Sequence, residues 1–288
     1  MIKNVPKEFE YQQYLREILI QSEPQIPLYI ATEKDFEKSE GINYPYRSHF
    51  YAFGVLHESD CKLQIGIDTY HLKKKSLTMV GPGIVRNWLS NTWDMKNTTV
   101  FFKESFFKKP FHNNFLLDYK FFKVGANHVV QLTDDNYTTL NNLLGTLENF
   151  KADQGIARGI LFSILEFINS IYLENLNKSP LSRSEEITRK FNDLLTRNYR
   201  TQKSVGFYAD EMNLSAKHLS DVLKETVGKT VKQSIEALIV IESQSLLKQT
   251  AMDIKEIVYW LGFEDQSYFT KFFKKKTGLT PSDYRLTP

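Results

Sequence analysis

Two stretches near the end of the chain carry the same arrangement of apolar positions. Ile254, Ile257, Val258 and Leu261 recur at i, i+3, i+4 and i+7, the spacing that lines one face of a short helix. Gly262 follows, a residue that adopts the positive φ of a helix end without steric cost, and Phe263 is placed to plug the corner. Asp265 can N-cap a second helix that turns Phe269, Phe272 and Phe273 inward and Gln266, Ser267, Thr270, Lys271 and Lys274 outward. About fifty residues upstream, Val205, Tyr208, Ala209 and Met212 repeat the stripe, Asn213 replaces Gly262, Leu214 is the plug, and Leu219, Val222 and Leu223 match the three phenylalanines. Two short helices about a tight turn make a helix-turn-helix, so the pattern predicts two such units. A connecting helix capped by Thr230 is expected to run to about Lys248, roughly 18 residues or about 27 Å. An opening helix, Ser184–Tyr199, presents Ile187, Phe191, Leu194 and Leu195.

The first half reads differently. A helix is expected around Tyr11–Ile20. From Tyr44 to about Lys123, short aromatic and β-branched runs alternate with turn signals: HFYAFGVLH, CKLQIGID with Leu63, Ile65 and Ile67 alternating, SLTMV before Gly81-Pro82-Gly83, and TTVFFKESFF. Such runs predict an antiparallel sandwich or barrel. From Asp134 the period becomes helical, first through Leu140, Leu143, Leu144, Leu147 and Phe150. A broader stripe over Ile156–Leu176 then includes Ile160, Leu161, Ile164, Leu165, Ile168, Ile171 and Tyr172. A helix apolar over more than one face needs a second partner, and the expectation is a second copy of the chain; the alternative covers both faces within one subunit. Asn177–Ser184 (NKSPLSRS) reads as a linker.

The run from Phe207 to Arg285, FYADEMNLSAKHLSDVLKETVGKT, a connecting helix, then IKEIVYWLGFEDQSYFTKFFKKKTGLTPSDYR, resembles the DNA-binding domain of the AraC/XylS family of bacterial transcription regulators. The order of the first half, with His49-Phe50-Tyr51 opening a strand and Pro-Gly following Leu-Thr-Met-Val, resembles more distantly the cupin-type sensor domain that often precedes it. The resemblance implies an α+β multidomain chain: a β-rich, cupin-like effector-sensing domain over 1–133, a helical dimerisation segment and linker over 134–181, and an all-α AraC-type DNA-binding domain with two helix-turn-helix units over 182–288. It also implies double-stranded promoter DNA, RNA polymerase and a small-molecule effector as partners, with the chain acting as a cytoplasmic homodimeric activator.

Composition adds little and excludes some classes. At 288 residues, 41% apolar and 25% charged, the chain reads as two soluble globular domains. The net charge of +3 does not announce a nucleic-acid binder. Residues 182–288 hold 17 lysines and arginines against 14 acids, whereas the first 181 hold 20 of each, so all of the excess sits with the repeat. A lone cysteine, Cys61, excludes an internal disulfide framework and fits a reducing cytosol. Charges interrupt the first twenty residues, so neither a signal peptide nor a membrane span is expected there, and no later stretch is expected to span a membrane.

The chemistry is that of recognition. Amide, hydroxyl and ammonium groups hydrogen-bond base edges and phosphates, which makes Gln266, Ser267, Thr270, Lys271 and Lys274 the stronger candidates for DNA contact and Lys217, Ser220, Asp221 and Lys224 the second set. Many members of the family have an arginine at Asp221; a carboxylate there either accepts from a cytosine amino group or leaves this helix a smaller part, and the smaller part is expected. Tyr268 is expected either to share the outward face or to pack at the edge of the core. Tyr44, Tyr46, His49, Tyr51 and Trp88, with Trp93 nearby, are the candidate effector pocket, on the chemistry of aromatic stacking. The cupin metal site needs a His-x-His pair, and Arg47-Ser48-His49 offers one imidazole, so no metal, cofactor or catalytic residue is expected. Two rival readings are an effector-free regulator whose first domain only dimerises or docks a protein, and a metal-dependent cupin enzyme tethered to DNA.

Overall fold

The central strand of the first half has no side facing water. In the computed structural model, which describes residues 27–36, 42, 44–58, 60–89, 95–107, 115–178 and 182–287, the strands are β1 (Leu28–Ala31), β2 (Tyr51–Glu58), β3 (Cys61–Ile65), β4 (Asp68–Leu72), β5 (Ser76–Val80), β6 (Arg86–Trp88), β7 (Lys96–Phe102) and β8 (Val129–Gln131). A five-stranded antiparallel sheet has the order β1-β7-β2-β5-β8, and a three-stranded one the order β4-β3-β6. The first six residues of β2 are all buried, because successive side chains go to opposite faces and both faces are covered. Tyr51, Phe53 and Val55 enter a core shared with α2 (Asp134–Phe150) and α3 (Gln154–Lys178), while Ala52 and Leu56 join clusters on the other face with Phe101 and with Leu63, Ile65 and Val80 of the two sheets.

Several sequence expectations change here. β1, β4, β6 and β8, and the short α1 (Glu33–Phe36), are additional elements. The run TTVFFKESFF is a strand only to Phe102; Phe106 and Phe107 follow in a 3-10 turn region and pack into the helix-side core. Leu161, Ile164, Leu165 and Ile168 of α3 have no exposed surface within the single chain, so this part of the stripe is covered by the chain's own core, to which α2 and the aromatic residues Phe115 and Phe121 contribute. Gln154–Asn177 is long and apolar enough, by length and composition, to cross a membrane, contrary to the expectation for later stretches, and here its apolar residues serve as core. Helix α3 runs through Lys178 and Ser182 caps the next helix, so the linker expectation narrows at both ends. The Tyr11–Ile20 helix and Trp93 lie outside the described residues.

The second half is helical: α4 (Arg183–Asn198), α5 (Val205–Glu211), α6 (Ala216–Val227), α7 (Val231–Gln249), α8 (Ile254–Trp260), α9 (Gln266–Thr277) and α10 (Pro281–Leu286). Ser182 and Thr230 each close a capping box, with Glu185 and Gln233 respectively, which satisfies orphan amides at the starts of α4 and α7. Helix α7 is buried on nearly every side, from Val231 to Leu247, and packs against α6, α8, α9 and α10.

The two halves meet through polar contacts. Arg47 pairs with the buried Glu242 of α7, and Gln249 exchanges two hydrogen bonds with the Arg47 backbone, at 2.9 and 3.0 Å. The β3–β4 hairpin turns on Gly66 at φ 58° with Ile67 as the second turn residue, the arrangement of a two-residue type II′ loop. Ile67 therefore leaves the alternation of Leu63 and Ile65 and inserts, 8% exposed, into the core of the helical half. Beside it, Asn192 donates to Asp68 at 3.2 Å, and the Lys229 ammonium lies 3.5 Å from the Ile67 carbonyl oxygen. The Asn192 side-chain oxygen, Oδ1, is buried with no described partner.

Two expected outcomes follow from these contacts. Burial pushes the Asp68 carboxyl up to about 6 against the weaker pull of Lys229, with Tyr70 the other titratable neighbour. The folded chain then holds a proton between about pH 4 and pH 6 that the unfolded chain has released, so this group's contribution to stability falls as pH rises through that window. Urea midpoints measured across it should fall in the wild type relative to Asp68→Asn, and parallel curves would contradict this. Gly262 sits at φ 71°, and a Cβ there would lie 1.8 Å from the Arg200 carbonyl oxygen. Gly262→Ala should cost about 2–5 kcal/mol in urea unfolding, whereas Asn213→Gly, at the exposed equivalent turn, should stay within about 1 kcal/mol.

Candidate nucleic-acid interface

Each unit of the repeat is built from the same local rules. In the first, Ser204 caps α5 and Ser215 caps α6, each accepting from the amide three residues on. In the second, Asp253 closes a capping box with Glu256 at the start of α8, and Asp265 caps α9. Asn213 at φ 54° and Gly262 at φ 71° make the turns, and Gly228 and Gly278 end the second helices in the left-handed conformation. Leu219, Val222 and Leu223 anchor α6. Phe269 and Phe273 anchor α9, while Phe272, expected inside, is half-buried against Phe263 at 5.8 Å between ring centres.

This anchoring leaves one face of each second helix outside. Lys217, Asp221 and Lys224 are exposed and Ser220 half-buried on α6; Gln266, Ser267, Lys271 and Lys274 are exposed and Thr270 half-buried on α9. None of these nine side chains makes a hydrogen bond or ion pair with another described residue. Their polar groups are therefore uncommitted, in contrast to Lys276, which pairs with Glu236 of α7 at 2.6 Å. A carboxamide at the start of such a helix can bond the edge of adenine in two places, while ammonium groups farther along suit phosphate. The two faces are on separate helices and form two patches rather than one.

Two aromatic side chains extend the patches, one of them offered by the sequence as an alternative and the other not foreseen. Tyr268 is 64% exposed, its ring reaching only the rim of Phe263 at 6.1 Å, so it stands on the outward face. His218 holds the corresponding third position of α6 and is exposed as well. The repeat alignment carries the signal, since both residues follow their caps by three.

The candidate effector residues are not gathered in one place. Tyr46 is buried with the Arg86 guanidinium 4.9 Å from its ring centre, in a cluster bordered by Tyr44 and Trp88. Tyr51 lies across the sheet, stacked on Phe102 at 5.3 Å in the helix-side core, because its neighbour Phe50 takes the other face. His49 is exposed, and the Tyr44 ring lies 5.8 Å from the Lys248 ammonium of α7. The other described histidines of the β-rich half are committed locally: His57 bridges Tyr137 and Thr98, His71 pairs with Asp60, and the buried His128 bonds the Met79 carbonyl, burial lowering its pKa to about 4.

Comparison with known proteins places the repeat. A helix-turn-helix domain family matches residues 208–287. Over 126 residues the chain is 27% identical to the HTH-type transcriptional activator RhaR of Escherichia coli K12, and equally to that of Shigella flexneri serotype 5b, a match that covers 44% of this chain. The chain spans about 45% of the length of those relatives. Among solved structures, the C-terminal domain of AraT, a response regulator from Geobacillus stearothermophilus, is 27% identical with TM-score 0.35, covering 37% of this chain and 89% of that one. ToxT from Vibrio cholerae O395 is 16% identical with TM-score 0.41, covering 90% of this chain and 93% of that one. Residues 208–287 are thus a helix-turn-helix domain, in a chain that is similar over 126 residues to HTH-type transcriptional activators.

Proposed function

We propose that the chain regulates transcription by reading a two-part DNA half-site, one base cluster with each helix-turn-helix unit. The observation that carries this is the pair of equivalent outward faces on α6 and α9, both capped, both anchored by buried apolar residues, and both polar without internal partners. Gln266, Ser267, Thr270 and Lys271 are assigned to base edges and nearby phosphates, and Lys274 to phosphate. Lys217, Ser220 and Lys224 serve the same ends in the first unit, where Asp221 gives α6 the smaller part. Helix α7, 19 residues and about 28 Å long, suits two major-groove segments that recur about every 34 Å on one face of B-DNA.

The first half, with its two antiparallel sheets, is assigned as a cupin-like sensor, and the boundaries at 133 and 181 are retained as functional divisions. A small-molecule effector would bind on the side of Tyr44, Tyr46 and Trp88, close to where Arg47 and Lys248 join the halves. The polar character of that join supports coupling, since such contacts separate and re-form at modest cost. Homodimerisation is assigned to the outward strip of α3, where Ile156 and Leu173 are exposed and Ile160 and Phe167 partly so. RNA polymerase and a cytoplasmic location complete the reading, which includes no enzymatic step.

In a randomised-site selection, Gln266→Ala should relax preference at one position and cost about 1–3 kcal/mol at the preferred site. Lys274→Ala should weaken all sequences alike and shallow the salt dependence; an unchanged motif for Gln266→Ala would remove the base-reading assignment. Inserting about 5 bp between the two clusters puts them on opposite faces of the duplex, and affinity should drop to the non-specific level. Tolerance of the insertion, measured by gel shift, would mean that a single unit binds.

A further inference from the structure

The two units touch at a place other than the connecting helix. Between α4 and α5 the chain passes through Tyr199–Lys203, and this segment reaches both units at once. Toward the first, the Tyr208 hydroxyl of α5 donates to the Gln202 carbonyl at 2.7 Å. Toward the second, the Lys203 ammonium donates at 2.8 Å both to the Arg200 carbonyl, just past the end of α4, and to the Gly262 carbonyl, just past the end of α8. A cation between two helix C-termini satisfies orphan carbonyls and sits at the negative end of both dipoles. The same ammonium lies 4.9 Å from the Phe263 ring centre, and the Arg200 guanidinium covers the Trp260 ring at 4.4 Å. Burial holds the Lys203 pKa below the usual lysine range. The absence of a side chain at Gly262 is what lets the Arg200 carbonyl approach, since a Cβ would stand 1.8 Å from it.

We propose that Lys203 and Arg200 are positioning residues for DNA recognition, forming a brace that fixes the spacing of the two reading helices. This rests on the assignment of both units to one half-site. Helix α7 fixes how far apart the units lie along its own axis, but a single helix leaves them a rotation and a bend relative to one another. The brace closes a second path between them: α5 to Gln202, Lys203 to the α8 turn, and from there Phe263 to Phe269 and Phe272 of α9, at 5.2 and 5.8 Å between ring centres. Two paths joining two bodies define an angle where one does not. The ammonium of Lys203 is spent on two backbone carbonyls, so its effect on DNA binding runs through geometry and not through phosphate.

The test uses the full chain and duplexes carrying the half-site recovered with the wild type, at native spacing and with one added base pair, which shifts the clusters by about 3.4 Å. The wild type should prefer native spacing by about tenfold. Lys203→Met should reduce that preference to under about threefold, with little change in binding to unrelated DNA, and Lys203→Arg should restore it. Arg200→Met, a milder change that leaves the Lys203 bonds in place, should fall between them and decides the matter if Lys203→Met does not fold. A parallel arm needs no DNA. Spin labels on Lys217→Cys and Lys274→Cys, with Cys61 buried and its thiol pushed up to about 11 and therefore unreactive, should report a broader distance distribution in either brace variant than in the wild-type background. Unchanged spacing preference together with an unchanged distribution would overturn the brace, as would a Lys203→Met protein that loses affinity for all sequences equally while keeping its spacing preference. A wild type indifferent to spacing counts against the two-unit reading itself, and the spin-label arm then decides the brace alone.

Discussion

A helix with almost no solvent face has to be surrounded, and α7 sets the arrangement of everything around it. Its buried residues follow no single stripe: Val231, Ile235, Leu238 and Ile239 serve one side, Ile241, Leu246 and Leu247 others, and Ser234, Ser243 and Glu242 are buried among them. The first unit, the second unit, α10 and Arg47 of the β-rich half each take a sector. Removing any one would leave an apolar strip or the Glu242 carboxylate facing the wrong medium, so the neighbours hold their places through a shared need for cover. Arg285 on α10 adds two bonds to backbone carbonyls at the end of the helix, to Leu247 at 3.2 Å and Met252 at 2.6 Å.

The join between the halves follows different chemistry from the cores on either side of it. Among the described residues it includes, besides Ile67 and the Tyr44–Lys248 contact, Arg47, Glu242, Gln249, Asp68, Asn192 and Lys229, groups that water can satisfy equally well once the halves part. The Asn192 side-chain oxygen Oδ1 lacks a described partner while docked, and protonation of the Asp68 carboxyl would give it a donor. Intramolecular interfaces of this kind resemble transient protein contacts, which makes relative movement of the halves the expected behaviour and local rearrangement of either core the unexpected one.

Much of the helical half was legible because its signals are local. Caps at Thr230 and Asp265, turns at Asn213 and Gly262, and anchors at Leu219, Phe269 and Phe273 depend on neighbours a few residues away, and each sits as the spacing implies. What escaped depends on contacts distant in sequence. Ile67 continues an alternation through Leu63 and Ile65 on paper, but Gly66 turns the chain before it arrives, and its burial is decided 124 or more residues away. The periodicity of α3 showed that two sides needed cover without saying whose atoms would supply it, and the core of the same chain covers Leu161, Ile164, Leu165 and Ile168 completely. On the candidate interface, the outward polar face was readable, whereas Tyr268 needed the exposure of its ring in the fold, and Lys203 needed the approach of the Gly262 carbonyl from 59 positions along the chain.

The asymmetry between Asn213 and Gly262 has a consequence for how such a repeat changes over time. Two copies of one motif begin as interchangeable parts. Once the turn of the second copy is pressed against the Arg200 carbonyl, only a residue without a side chain is admitted there, while the turn of the first copy stays exposed and keeps a wider choice. The copies then accept different mutations, and an exchange of the two turns between units ceases to be neutral in one direction only. The glycine thus marks which copy is held by its neighbour, and the asparagine marks the copy left free to drift.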